Sequence, residues 1–375
     1  MFTRTLEKEI INNINTGKTI VIVGARQTGK TTLIKKILKE NDYLFLDADD
    51  PSIRNLLQEP TTEQIRTILG TYKLVFLDEA QRIPNIGITL KIINDQFKNV
   101  QLFVSGSSSF DLWNVINEPL TGRKWEYELF PISWEEYENR IGFIKSEQQI
   151  ENRLLYGFYP EVLNTPGKER IVLKNLVNSY LYRDVLSFSD IRKPEIIEQL
   201  IQALALQIGS EVNYNELSKL IGVNKITIQK YIDILEKGYI VFRLHSFSRN
   251  YRNEISKGKK IYFYDNGVRN MIIGNFKPLN IRLDKGALWE NFLISERIKQ
   301  NIYKDTFAKM YFWRTRQHQE IDFIEDLEGD ISAFEFKWDN KKAKIPKPFL
   351  DIYNIQVKVI NRDNFRSFIN LEHKS

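Results

Sequence analysis

The residues Gly24-Ala25-Arg26-Gln27-Thr28-Gly29-Lys30-Thr31-Thr32 place two glycines five positions apart, followed by lysine and threonine. That spacing suits a loop whose backbone N–H groups turn inward on phosphate oxygens. The helix that starts there adds the partial positive charge of its N-terminus. Lys30 is expected to reach the β- and γ-phosphates and Thr31 to offer its hydroxyl to Mg²⁺. The ligand that fits is ATP with Mg²⁺, and ADP after turnover.

Asp78-Glu79, closing the apolar run Lys73-Leu74-Val75-Phe76-Leu77, belongs to the same chemistry. Open α/β sheets bind ligands at the carboxyl edge of their strands. Asp78 is therefore expected to hold Mg²⁺, and Glu79 to orient or deprotonate an attacking water. Ser107, just past the run Val100–Ser105, can sense the γ-phosphate or simply cap the helix after it. Arg123 follows Gly122 and precedes the next strand. It can stabilise transition-state charge in cis, do so from a neighbouring subunit of a homo-oligomer, or serve structure alone.

Such residues need a parallel sheet to hold them. Short β-branched runs alternate with helical stretches over the first 130 residues, which predicts α/β architecture. The expected strands are Thr19–Val23, Tyr43–Leu46, Lys73–Leu77, Val100–Ser105 and Lys124–Leu129. After Phe130-Pro131 the pattern becomes mostly helical to about Ile208, then basic and aromatic, then mixed α/β from about Asp284.

The chain of 375 residues has room for two or three domains. Its 42% hydrophobic and 27% charged residues describe a soluble globular protein. No apolar run approaches the ~18–20 residues of a membrane helix, and the start lacks a signal-peptide core. A cytoplasmic protein without a membrane partner is expected. The absence of cysteine excludes disulfides and thiolate metal sites, and three histidines make structural zinc a poor fit. The net charge of +6 suits either a polyanionic partner or a solvated basic surface.

In the middle, Asn213–Val223 reads as a short helix closed by a glycine turn. A second helix runs from Asn224 to about Glu236, burying Ile228, Ile232 and Leu235 and exposing Lys225, Gln229 and Lys230. A helix–turn–helix has this form. The strand Gly238-Tyr239-Ile240-Val241-Phe242 follows. Arg243, His245, Arg249, Arg252, Lys257, Lys259 and Lys260, with Tyr251, then suit a basic wing for DNA over residues 243–260, or a module packed against other domains.

Near the C-terminus, Gln319–Ile324 and Ala333–Trp338 alternate polar and apolar residues around a turn at Leu327-Glu328-Gly329-Asp330. Period-2 geometry puts Glu335 and Lys337 on one face, with Asp322 beside Glu335 once the strands pair. Upstream, Glu290 lies at the rim of a helical stripe made by Ala287, Ile294 and Ile298. Glu290, Asp322 and Glu335 would hold Mg²⁺ beside a scissile phosphate, and Lys337 would position or activate water. A solvated charged hairpin fits the same pattern.

The set GARQTGKTT, LVFLDEAQRIPN, SGSSS, LTGRKWEYELFPISWEEY, YGFYPEV and YLYRDV resembles prokaryotic AAA-superfamily ATPases that carry a C-terminal domain of unknown function. The resemblance covers nearly the whole chain. It implies a P-loop ATPase core at 1–132, a helical lid-like segment at 133–205 and a winged helix at 206–275. At 276–375 it implies a restriction-endonuclease-like fold similar to the PD-(D/E)xK nucleases, with Ile321 where their motif has proline. The expected function is ATP hydrolysis coupled to action on nucleic acid. The alternatives are a nucleotide-dependent switch that cleaves nothing, and a small-molecule kinase, against which Glu79 and the extra domains argue.

Overall fold

The computed structural model describes residues 1–106, 116, 118–178, 193–248, 258–340 and 343–370. Two units emerge, Met1–Ile132 with Lys237–Tyr239 and Ser133–Glu236 with Ile240–Ser375. A break falls at 132/133, and apart from Lys237–Tyr239 the stretches 133–205, 206–275 and 276–375 all fall in the second unit.

The first unit is α/β. Its strands are β1 (Thr19–Val23), β2 (Leu44–Asp47), β3 (Leu74–Asp78), β4 (Gln101–Gly106) and β5 (Lys124–Glu128). Each lies within a residue of its expected run. All pairings are parallel, in the order β2-β3-β4-β1-β5. Central strands covered on both sides need continuous apolar sequence, and Ile20, Val21, Ile22, Val75, Phe76, Phe103 and Val104 are all fully buried. The edge strands β2 and β5 are partly exposed, as Lys124-Trp125-Glu126 requires. This order sets the carboxyl end of β4 between those of β1 and β3.

The second unit opens on the helix Trp134–Ile141, started by a reciprocal cap. The Ser133 hydroxyl accepts from Glu136 N at 3.2 Å, and the Glu136 carboxylate accepts from Ser133 N at 3.0 Å. Helices Phe143–Tyr156, Pro160–Asn164, Glu169–Leu176 and Pro194–Leu206 follow. Strand β6 (Glu211–Val212) leads into helices Tyr214–Ile221 and Lys225–Lys237 and then β7 (Val241–Ser246) and β8 (Lys259–Phe263). Asn213 caps the first of these helices, and Gly222 closes it with φ +77°. Ile228, Ile232 and Leu235 are buried on the second, the apolar spacing read from the sequence.

Beyond the helix Lys285–Tyr303 come β9 (Lys309–Arg314), β10 (Glu320–Leu327), β11 (Asp330–Phe336) and β12 (Val357–Ile360). Strands β6 to β12 form one mixed sheet, ordered β12-β11-β10-β9-β7-β8-β6. The join is a short parallel pairing of β7 with β9, His245 opposite Tyr311 and Ser246 opposite Phe312. Residues from both 206–275 and 276–375 thus contribute strands to one sheet.

One strand start moves. The expected strand at Gly238 begins instead at Val241, because Tyr239 takes φ +58° and Ile240 N donates back to Leu235 O at 3.0 Å. Among the described residues, no helix is long and apolar enough to cross a membrane.

Candidate nucleotide site and acidic centre

The loop after β1 adopts a phosphate-cradling shape. Gly24 has φ +147°, Gln27 +59° and Gly29 +96°. A Cβ on Gly24 would lie 2.2 Å from the Leu129 carbonyl oxygen, so only glycine lets this turn pass against the end of β5. Thr28 Oγ1 donates to Ala25 O at 2.9 Å, and Lys30 Nζ donates to Gly24 O and Ala25 O at 3.0 and 2.8 Å. The Lys30 ammonium is thus held inside the loop's curve. Ala25 is buried, Arg26 half-buried and Thr32 exposed. The helix Lys30–Leu38 begins at the loop.

Asp78 is the hub of the sheet edge. Its carboxylate accepts from Thr31 Oγ1 at 2.8 Å and from Ser105 Oγ. Glu79 follows with φ +52° and accepts from Gln81 Nε2 at 2.5 Å. Oxygen donors from Thr31 and Asp78 suit a hard cation such as Mg²⁺. Ser107, expected as a γ-phosphate sensor, lies outside the described residues; the serine set against Asp78 is Ser105. Its signal was legible, because it is the last side chain of an apolar run. Buried Arg4 had no such signal. It donates to Thr28 O at 2.7 Å and Phe130 O at 2.6 Å, clasping the loop to the segment after β5.

Arg123 sits at the opposite end of the sheet. Its carbonyl accepts from Thr19 N at 2.8 Å, and its Nε donates to Asp95 Oδ1 at 2.7 Å. Four strand steps, ~13 Å, separate Thr19 from Val23, so the role in cis is corrected: Arg123 does not reach its own loop.

The second unit gathers the C-terminal carboxylates. The register Phe323↔Phe334 in β10–β11 puts Asp322 across from Glu335, and Phe336 N donates to Asp322 Oδ2 at 2.7 Å. Lys337 Nζ donates to Glu335 Oε1 at 2.7 Å, while Glu335 Oε2 is buried with no hydrogen-bond partner. Ligand oxygens of Glu290, Glu320 and Asp322 lie within 4.8 Å of one another. Glu320, Lys260 and Tyr262 were not anticipated here. Lys260 Nζ donates to Glu290 Oε1 at 3.0 Å and to Glu320 Oε1, and Tyr262 donates to Glu290 Oε1 at 2.6 Å.

Charges at this centre are strongly coupled. Burial, then Glu290 and Glu335, push the Asp322 carboxyl well above its ordinary range. Burial also raises Glu335, against the pull of Lys337. Burial alone would lower Lys337, but its bond to Glu335 and the charges of Asp322, Glu335 and Glu290 outweigh it and raise the lysine. Lys337 is thus an ammonium held beside the carboxylates, placed to position water or balance charge. Glu335 Oε2 and the clustered carboxylate oxygens form a hard donor set that fits a divalent cation.

Two residues of the expected basic wing, Arg243 and Lys260, are paired within the second unit. Arg243 is paired with Glu236 and with Asp233 at 2.7 Å, and Lys260 is fully buried against the acidic centre. Their places in β7 and β8 turn them inward, which corrects the expectation. Arg249, Tyr251, Arg252 and Lys257 lie outside the described residues.

Residues 16–138 match the family model of an AAA domain, residues 147–279 a domain of unknown function (DUF8612) and residues 285–369 a domain of unknown function (DUF4143). An uncharacterized protein of Methanocaldococcus jannaschii is 24% identical over 96% of this chain and 82% of its own length. One from Mycobacterium tuberculosis is 25% identical over 85% of this chain and 70% of its own. Among solved structures, a Walker-type ATPase of Pyrococcus abyssi aligns over 72% of this chain and 96% of its own, at 15% identity and TM-score 0.49. The loop at Gly24–Thr31, with Asp78 beside it, lies within the stretch that matches the AAA-domain model.

Proposed function

We infer that the first unit hydrolyses Mg²⁺-ATP and that the second acts on nucleic acid as a metal-dependent phosphodiester hydrolase. ATP turnover would govern that action. The hydrogen bonds that bring Thr31 and Ser105 onto Asp78, with β4 between its strand and the one that leads into the glycine loop, carry the nucleotide half. Lys30 and the loop amides would bind the triphosphate, Thr31 and Asp78 would hold Mg²⁺, and Glu79 would take the proton of the attacking water. When bound, Mg²⁺ would neutralise charge on the phosphate oxygens. Arg123 would act across a subunit boundary.

The meeting of Glu290, Asp322, Glu335 and Lys337 carries the second half. It is the donor set that cleavage by a PD-(D/E)xK-like centre needs, with carboxylates for a cation and Lys337 beside them for water. The order helix, β6, two helices, β7, β8 supports a winged helix, with Lys225, Gln229 and Lys230 available to a DNA groove. We place the protein in the cytoplasm.

One observation favours a second reading, a nucleotide-dependent switch that binds nucleic acid or protein without cutting. Lys260 already neutralises Glu290 and Glu320 from within. The discriminating experiment measures ATPase activity with and without DNA, beside Mn²⁺- or Mg²⁺-dependent cleavage, on parent protein and Asp322→Ala. Cleavage lost in the variant supports the hydrolase. DNA-stimulated ATPase with intact DNA in both proteins supports the switch.

A further inference from the structure

We propose that a polar cavity in the second unit, beside the acidic centre, seats backbone phosphates of a nucleic-acid strand. The proposal rests on the reading that this unit engages nucleic acid, and it assigns where the strand is gripped.

The cavity measures about 750 Å³, within the range of a ligand site. Four of the elements that line it carry the groups that would meet phosphate. Lys225 and Gln229 come from one face of the helix Lys225–Lys237, Lys259 from β8, Arg314 from the end of β9 and His318 from the turn into β10. Against these three permanent cations stands one carboxylate, Glu211. A small apolar ligand would find no matching wall, whereas a phosphate would meet an ammonium or guanidinium from several directions.

Two features select a polymer over a free anion. A second cavity of about 370 Å³ shares Glu211, Gly258, Arg314 and His318 with the first and adds Arg316, so the basic lining is elongated. Arg314 also links this lining to the acidic centre, its guanidinium lying 3.5 Å from Glu211 and 3.5 Å from Glu320. Glu320 in turn contacts Lys260. A strand held by Lys225 and Lys259 would thus have its next nucleotides directed toward the carboxylates.

Burial, then the charge of Arg243 and to a lesser extent that of Lys225, lowers the Lys259 ammonium from its ordinary value, against Asp233 and Glu236. A bound phosphate would favour its charged form. The sequence offered Lys225, Gln229 and Lys259 as DNA-facing residues but not their convergence with Arg314 and His318, because Lys225 and Arg314 are 89 residues apart.

The test is fluorescence anisotropy of the full chain with short fluorescein-labelled DNA, single-stranded and duplex, over a range of salt. Lys225→Gln combined with Lys259→Gln should weaken binding about tenfold and make the log K against log salt slope shallower by about 1.5, as two lost phosphate contacts imply. ATP turnover without DNA should not change. Gln229→Lys should move affinity and slope the opposite way, which guards against a variant that merely misfolds. If the parent binds DNA and both variants bind it with the parent's affinity and slope, the phosphate seat is wrong while the hydrolase reading stands. Weakened binding in the double variant, with no metal-dependent cleavage by the parent, supports the seat and removes the hydrolase reading. Calorimetric binding of inorganic phosphate that the double variant loses, with no DNA binding at all, overturns the seat in favour of a small-anion site.

Discussion

Lys260 Nζ lies 3.0 Å from Glu290 Oε1, joining a fully buried strand residue to a carboxylate on the helix Lys285–Tyr303. The same ammonium contacts Glu320, and Asp322 is close enough to raise its pKa further, against the desolvation that opposes it. This interior cation holds together a group of carboxylates that would otherwise repel one another.

Lys260→Met should therefore be costly. Removing one partner of a buried ion pair destabilises by about 3–5 kcal/mol, because the remaining charges are left uncompensated. Thermal unfolding should show a lowered midpoint, and Mn²⁺ should restore more of it in the variant than in the parent. An unchanged midpoint would mean that the lysine contributes no net compensation.

Asp322→Asn tests the raised carboxyl. A carboxyl whose folded value exceeds its unfolded one binds more protons when folded, so stability declines as pH climbs from about the ordinary 3.8 through the raised value. The variant should flatten that decline, seen as a smaller difference between denaturation midpoints at pH 5 and pH 8. It should also lose the stabilisation that divalent cations give the parent. Identical pH profiles would place the proton elsewhere.

Lys30→Ala should reduce ATP affinity at least about 100-fold by calorimetry, since a charge-assisted contact to two phosphates is lost. Glu79→Gln should keep affinity and lower turnover by about 10²–10³, the scale of general-base catalysis. Equal turnover in the Glu79 variant would reassign the base.

Arg123→Ala separates the two ways this arginine can work. Because Arg123 lies at the far end of its own sheet, parent turnover per chain should rise with protein concentration as subunits meet. The variant should stay flat, about 10³-fold lower at saturation. Turnover that is independent of concentration and unaffected by the substitution would leave Arg123 as the structural partner of Asp95.

The geometry of the candidate nucleotide site was readable in sequence because its parts are local. Gly24 to Thr31 is one continuous loop, and Asp78 closes an apolar run, so backbone conformation and strand burial follow from neighbours in the chain. Alternation around Leu327–Asp330 likewise put Asp322 and Glu335 side by side, because a tight hairpin fixes register over short range. Arg4 on the loop and Ser105 on Asp78 depend on strand order, and no local pattern specifies which strands become neighbours.

What the sequence determined by itself is therefore the chemistry carried on single elements: the phosphate loop, the acidic strand end, and the carboxylates with their lysine. The tertiary structure alone decided that β7 joins β9 and draws residues 211–263 into one sheet with the C-terminal strands. It thereby turned Lys260 from an apparent wing residue into a buried counter-ion, and set Arg123 away from its own phosphate loop. Both outcomes arise from pairing between distant strands, where burial and charge compensation are settled by residues that meet only when the chain has folded.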